Sequence, residues 1–267
     1  EEEAAAETAL LRAARASSVE DLTRRESLEV GGRELRALPE KISSLTSLEL
    51  LDLSINQLAA LPESLDSLTG LRTLRLLGNL LTIVPESLCG LPSLSALDLD
   101  HNQLKDLPPG FGRLGSLETL RLYNNQLSVL PESFSGLVAL QRLDLDNNQL
   151  TALPQSFSGL VALQTLGLEH NRLSILPDGF GDLRALQSLR LNGNRLVALP
   201  EDFGNLRALM SLDMHNNLLA ALPQSFGGLA ELRTLNLNVN HIAVLPDSFG
   251  RLVALQRLHL NNNQLAA

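Results

Sequence analysis

The sequence has no tryptophan, one tyrosine, one cysteine and two lysines among 267 residues. Cys89 is the only cysteine, so an internal disulfide is excluded. The sequence contains no Asn-x-Ser/Thr sequon, which argues against a glycosylated secreted domain. Basic residues form no run and the net charge is -9, which argues against nucleic acid as a partner. No apolar run approaches the roughly 18 residues of a membrane-spanning helix, so we expect no membrane insertion.

The cellular compartment of the protein can be inferred from these absences and from the N-terminal sequence. The first residues are acidic and alanine-rich and lack the basic and apolar regions of a signal peptide. We therefore expect a reducing, cytoplasmic compartment. Arginine outnumbers lysine nineteen to two, which favours a bacterial source, with delivery into a host cell as an alternative.

An internal repeat of 23 residues dominates what is present. Asparagine recurs at 56, 79, 102, 125, 148, 171, 194, 217, 240 and 263, and proline at 39, 62, 85, 108, 131, 154, 177, 200, 223 and 246. Aligned on these positions, the unit is L-x-x-L-x-L-x-x-N-x-L-x-x-L-P-x-x-F-x-x-L-x-x. A fixed period of this length indicates a solenoid, in which each unit buries its apolar residues against its neighbours.

This unit resembles the leucine-rich-repeat family, in particular the 23-residue class with a Leu-Pro-x-x-Phe segment found in intracellular Ras-group and Ras-suppressor-like repeats. The resemblance covers roughly residues 25 to 267. It implies an α/β fold: a right-handed leucine-rich-repeat solenoid, or horseshoe, with a parallel concave β-sheet of about eleven strands and an N-terminal helical cap. It also implies a scaffold that binds another protein.

Each column of the repeat has a physical reading of its own. The x-L-x-L-x stretch alternates with period two and predicts a short strand with one buried face. The asparagine carries donors and an acceptor that can satisfy buried turn backbone, while proline suits an extended or 3₁₀ return segment. All seven phenylalanines share one column and predict a core spine; they are Phe111, Phe134, Phe157, Phe180, Phe203, Phe226 and Phe249.

The two ends of the array depart from the consensus. We expect residues 1–24 to form a helical cap, with one helix from Glu1 to about Arg15 and a second, short helix capped by Ser18. Residues 25–267 then form about 10 to 11 repeats, of which the last is incomplete. The first repeat has Arg33 in place of asparagine. We expect a longer protein of which this chain is the recognition module.

Candidate site residues flank the strand leucines, where side chains point into the concavity. Leu77 and Tyr123 are expected to be exposed among carboxylates there, as an apolar anchor would be. The predicted partner-binding residues are Arg75, Leu77, Asp98, Asp100, His101, Arg121, Tyr123, Arg142, Asp144, Asp146 and Glu169. Their mostly acidic character predicts a partner protein with a basic and apolar surface patch. The alternative interpretation is a solvated charge ladder that only supports the sheet.

No phosphate-binding loop, nucleophile elbow or metal-spacing motif is present, so the sequence predicts neither enzymatic activity nor a cofactor. Two functions stay open: a protein-binding scaffold, and the substrate-recognition module of a larger bacterial effector with a ubiquitin-ligase or GTPase domain outside this chain. A third class, the extracellular receptor, would ordinarily have cysteine-stapled caps and a signal peptide.

Overall fold

One parallel sheet runs the length of the computed structural model, which describes residues 2–265. Its eleven strands pair in sequence order from β1 to β11, and the element order along the chain is that of the repeats. The strands are β1 Ser27–Glu29, β2 Leu50–Asp52, β3 Thr73–Arg75, β4 Ala96–Asp98, β5 Thr119–Arg121, β6 Arg142–Asp144, β7 Thr165–Gly167, β8 Ser188–Arg190, β9 Ser211–Asp213, β10 Thr234–Asn236 and β11 Arg257–His259. The predicted parallel sheet of about eleven strands is confirmed.

Register follows the 23-residue period. Leu51 of β2 pairs with Leu74 of β3, and the same leucine column continues pair by pair to Leu258. These leucines point into one continuous core, and only those at the β11 end are partly exposed. Each strand has three residues, shorter than the five-residue alternating stretch predicts, although hydrogen bonds between neighbouring repeats continue beyond it, as from the Leu53 amide to Arg75 and from the Ile55 amide to Leu77.

The asparagine column secures that turn. In each of its ten repeats, the amide oxygen accepts a backbone N–H of the preceding repeat, and the amide nitrogen donates to one carbonyl there and one in its own repeat. For Asn148 the partners are the Leu127 amide at 3.0 Å and the carbonyls of Leu122 at 2.9 Å and Leu145 at 3.1 Å. Turn backbone that water cannot reach is thereby satisfied. Arg33 has no such role, and its amide instead donates to Asn56.

The return segments contain proline and short 3₁₀ helices. Pro131 and Pro154 have φ of -67° and -62° and directly precede such helices, as their fixed φ predicts. The 3₁₀ helices are Glu40–Ser44, Leu65–Ser67, Glu86–Gly90, Phe111–Arg113, Glu132–Gly136, Gln155–Gly159, Phe180–Asp182, Phe203–Asn205, Gln224–Gly228 and Asp247–Arg251. They carry the phenylalanine spine, whose neighbouring rings stack almost parallel with centroids 6.1 to 6.4 Å apart.

The first repeat is covered by one helix, α1 (Glu2–Ala14), whose residues Ala6, Leu10 and Ala14 are buried. Lys41 in the first 3₁₀ helix forms an ion pair with Glu7 at 2.9 Å. The expected second helix is absent: residues 17–24 form turns, although the Ser18 hydroxyl does accept the Asp21 amide at 3.3 Å. The segment is short, and burying Val19 and Leu22 in the core needs no more than a turn.

Candidate protein-binding face

The exposed side of the sheet, which we call the sheet face, presents three side chains per repeat: the first and third strand residues and the residue two positions after the strand. Because the strands are in register, equivalent residues of adjacent repeats lie about 4.8 Å apart. All predicted site residues except His101 belong to this face. A depression of about 300 Å³ crosses it over β3, β4 and β5, lined by Arg75, Asp98, Arg121 and their strand neighbours.

Charged residues on β2 to β5 form ion pairs rather than a continuous ladder. Arg75 Nη1 lies 3.3 Å from Asp52 Oδ2, and Arg121 Nη1 lies 4.0 Å from Asp98 Oδ2. Both arginines are exposed. Since exposed pairs of this kind contribute about 0 to 1 kcal/mol, they add little to stability and leave the arginines available to a ligand.

Leu77 and Tyr123 are half-buried, which corrects the expectation that they are exposed. For Tyr123 the physical reason is packing against a neighbouring ring. Tyr123 packs edge-on against the His101 ring, with centroids 5.0 Å apart and planes at 71°. His101 is exposed, and its Nδ1 lies 2.8 Å from Asn124 Nδ2. The predicted anchor Tyr123 is therefore a partly exposed ring that is held in place by the His101 ring.

His101 occupies a turn position whose backbone is left-handed in eleven successive repeats. Its φ is 54°, and the residues at this position have φ between 52° and 68°. They are Gly32, Ile55, Gly78, His101, Asn124, Asn147, His170, Gly193, Asn216, Val239 and Asn262. Glycine and asparagine suit this conformation, whereas isoleucine and valine are strained in it.

Asp98 and Asp100 follow β4 as a pair of carboxylates. Asp98 Oδ1 accepts the Asp100 amide at 3.0 Å, and Asp100 Oδ1 accepts the Tyr123 amide at 2.6 Å. Within residues 2–265 no lysine, arginine or histidine nitrogen lies within 4.0 Å of the Asp100 carboxylate. Burial, and after it the charge of Asp98, raises the pKa of Asp100 to about 7. The group is thus half-buried and, in the described chain, lacks a direct ion-pair partner.

Asp146 is only 4% exposed, contrary to the expectation that its carboxylate is accessible in the concavity. Arg190 covers it: the guanidinium forms an ion pair with Asp146 and lies 3.3 Å from Asp144 Oδ2. Burial, followed by the charge of Asp144, still raises the pKa of Asp146 to about 6. Asp144 remains partly exposed.

Arg190 is the residue that sequence reasoning missed. It lies two strands from Asp144, at a distance at which a repeat pattern predicts no contact. The available signal was Gly167, which stands between them in the register and is the one glycine on strands β2 to β11 in this charged column. Without a side chain there, the long arginine can cross β7.

The remaining predicted residues lie at the edges of this cluster. Arg142 is exposed at the start of β6, and Glu169 is half-buried with Oε1 3.2 Å from His170 Nε2.

In the described part of the chain, no three His, Cys, Asp or Glu side chains come together as metal ligands would. Cys89 is buried in the core, which raises its pKa to about 11 and keeps the thiol protonated and a poor nucleophile.

Repeated strand, asparagine turn and 3₁₀ return segment define the class of protein, a solenoid of parallel strands. The family model for leucine-rich repeats matches residues 47–104, 92–150, 140–196, 197–242 and 207–265. The chain belongs to the leucine-rich-repeat family, whose domains commonly mediate protein–protein interaction. No curated protein matches it.

Several solved structures share the fold. A leucine-rich-repeat protein of Leptospira interrogans is 28% identical with a TM-score of 0.53, over 90% of this chain and 79% of that one. The Toll–Spatzle complex of Drosophila gives 28% identity and a TM-score of 0.79, over 92% of this chain and 38% of that one. The octameric complex of Latrophilin 3, Unc5D and FLRT2 gives 26% and 0.69, over 82% and 76%. No helix within residues 2–265 is long and apolar enough to cross a membrane.

Proposed function

We propose that this protein is a scaffold that binds a partner protein on the sheet face, with the contact centred on β3 to β6. The observation that carries the proposal is the combination of Leu77 and Tyr123 with Asp100. Two half-buried apolar side chains lie about two strands apart, and the carboxylate beside Tyr123 has no counter-ion in the described chain. A rigid aromatic next to a desolvated polar group is typical of an interface hot spot.

The predicted contact residues fit this proposal with one change of role. The centre of the proposed contact consists of Asp98, Asp100, His101, Arg121 and Tyr123. Around it lie Arg75, Leu77, Arg142, Asp144 and Glu169. Asp146 is buried under Arg190 and contributes to the face by holding this arginine in an ion pair. The partner surface that complements this arrangement is basic with an apolar patch. The cytoplasmic location and the Ras-suppressor-like type stay predictions from the sequence, as does the division at residues 24 and 25.

Two of the relatives are named as complexes with other proteins, which supports a binding role for this fold. The assignment to the sheet face depends on the residues of this chain alone, because a fold does not fix a function.

The experiment is an affinity capture from lysates of the source organism and of its host, with the wild type beside a folded Leu77→Ala/Tyr123→Ala/Asp100→Asn variant. A Val138→Ala/Val161→Ala variant, altered at exposed positions away from the sheet face, is the matched control. We expect the control to retain the captured protein. Hot-spot truncations of about 2 kcal/mol each weaken binding about 30-fold, so the triple variant should lose it. Equal capture by all three proteins would place binding elsewhere.

A further inference from the structure

The sheet face carries the same acidic pair twice, two repeats apart: Asp98 with Asp100, and Asp144 with Asp146. In each pair the first carboxylate accepts the amide of the second residue at 3.0 Å. In each, the second carboxylate also accepts an amide from the next strand's end, that of Tyr123 at 2.6 Å or Glu169 at 2.7 Å. The backbone thus holds both pairs in the same geometry.

Within residues 2–265, only one pair has a cation that bridges both of its carboxylates. The Arg190 guanidinium bridges Asp144 and Asp146, and the second of these carboxylates is buried beneath it. At the other pair, Arg121 approaches Asp98 at 4.0 Å and no described cation reaches Asp100. A guanidinium is planar with several donors, so it can bridge two carboxylates where an ammonium ion satisfies fewer acceptors.

The register explains this difference. Asp144, Gly167 and Arg190 are aligned on β6, β7 and β8. A Cβ at Gly167 would come within 2.6 Å of both Arg190 Nη2 and Asp146 Oδ1, so only glycine leaves the crossing open. The equivalent positions beyond Asp98 are Arg121 and Asp144, which offer a side chain in the way and then a carboxylate.

We propose that Arg190 determines the specificity of the sheet face: it fills one of two equivalent guanidinium receptors and leaves the Asp98–Asp100 pair to bind an arginine of the partner. This inference rests on the proposed function and deepens it. Tyr123 and His101 border the open receptor, and an aromatic ring beside a guanidinium adds to its binding. The half-buried Asp100 gains the counter-ion that its environment lacks.

The two amides that donate to the second carboxylates are built-in reporters for an NMR titration. The probe is N-acetyl-arginine N-methylamide at pH 8, and the citrulline analogue is its uncharged isostere. In the wild type we expect the Tyr123 amide to shift in a saturable way with the arginine probe, while the Glu169 amide stays unchanged. Neither should respond to the citrulline analogue.

Arg190→Ala should open the second receptor. The Glu169 amide then shifts as well, with an apparent dissociation constant within about threefold of that reported by Tyr123. Arg207→Ala is the matched control, since it removes an exposed arginine outside the sheet face and should leave the Glu169 amide silent. Arg190→Ser is a second route to the same result, because it also removes the guanidinium that covers Asp146.

Three results would overturn the inference: a silent Tyr123 amide in the wild type, a Glu169 amide that responds there equally, or a Glu169 amide that stays silent in both folded variants. A partner captured through the sheet face without any of these responses would leave the proposed function standing and remove the arginine receptor alone. Loss of capture by the control at Val138 and Val161 would instead count against the proposed function.

Discussion

The backbone amide of Tyr123 donates a 2.6 Å hydrogen bond to Asp100 Oδ1, across from one repeat to the next. This bond favours the ionised carboxylate, yet burial and the neighbouring Asp98 outweigh it and raise the pKa of Asp100 to about 7. The pKa of Asp146 is also raised, to about 6. Two carboxylates of the sheet face therefore titrate close to neutral pH, well above the usual value of about 3.9.

This gives the first prediction, on pH. Between the unfolded and folded pKa values the folded state binds more protons, so the free energy of unfolding should rise as the pH falls from about 8 towards 5. Asp100→Asn keeps an acceptor oxygen for the Tyr123 amide but removes the charge. We expect this variant to be more stable than the wild type at pH 8 and to show a flatter dependence in urea unfolding from pH 5 to 8.

The exposed Asp106→Asn is the control for the loss of one negative charge. It should leave the shape of the pH dependence unchanged. If Asp100→Asn gave the same profile as Asp106→Asn, or if the wild type were more stable at pH 8 than at pH 5.5, the proton balance assigned to Asp100 would be wrong.

A second prediction concerns the asparagine column. Asn148→Ala removes three hydrogen bonds but leaves only the Leu127 amide without a partner, because the carbonyls of Leu122 and Leu145 still accept Asn125 and Asn171. The orphaned amide costs about 1 to 3 kcal/mol and each of the other two lost bonds about 0.5 to 1.5 kcal/mol, so we expect a loss of at least about 2 kcal/mol in the free energy of unfolding. Asn263 makes the equivalent three bonds but is partly exposed at the last rung. Water can replace it, and Asn263→Ala should cost clearly less in the same urea titration.

Much of this fold could be predicted from the sequence because equivalent residues of the repeats have the same packing and hydrogen-bonding surroundings. The ten asparagines stand in equivalent surroundings, so reasoning about the hydrogen-bonding capacity of one applied to all. Strand length was harder to predict, since the left-handed residue three positions after each strand is His, Ile, Val, Asn or Gly in different repeats. The Arg190 ion pair was missed because it depends on the reach of one side chain over Gly167, which no period encodes.

The phenylalanine spine supports a third prediction. Phe157 is fully buried between Phe134 and Phe180, with ring centroids at 6.2 and 6.4 Å. Phe157→Ala should cost about 3 to 5 kcal/mol, as large-to-small core substitutions do. Phe157→Leu should cost less, because Leu65 and Leu88 fill this column in earlier repeats. Equal losses for the two variants in urea unfolding would contradict a spine built on packing volume.

The last prediction reverses the usual sign of a mutation. Ile55 is 67% exposed and has φ of 55°, a left-handed conformation that costs an L-residue about 1 to 2 kcal/mol and suits asparagine much better. Four later repeats have asparagine at this position, namely Asn124, Asn147, Asn216 and Asn262. Ile55→Asn should therefore raise the free energy of unfolding by about 1 kcal/mol.

The matched control is Ile83, which is 63% exposed and lies outside the left-handed region. Ile83→Asn should stay within about 0.5 kcal/mol of the wild type. Because both changes replace an exposed isoleucine with asparagine, their difference isolates backbone strain. A difference of zero would mean that the turn before Asn56 relaxes to accommodate isoleucine without cost.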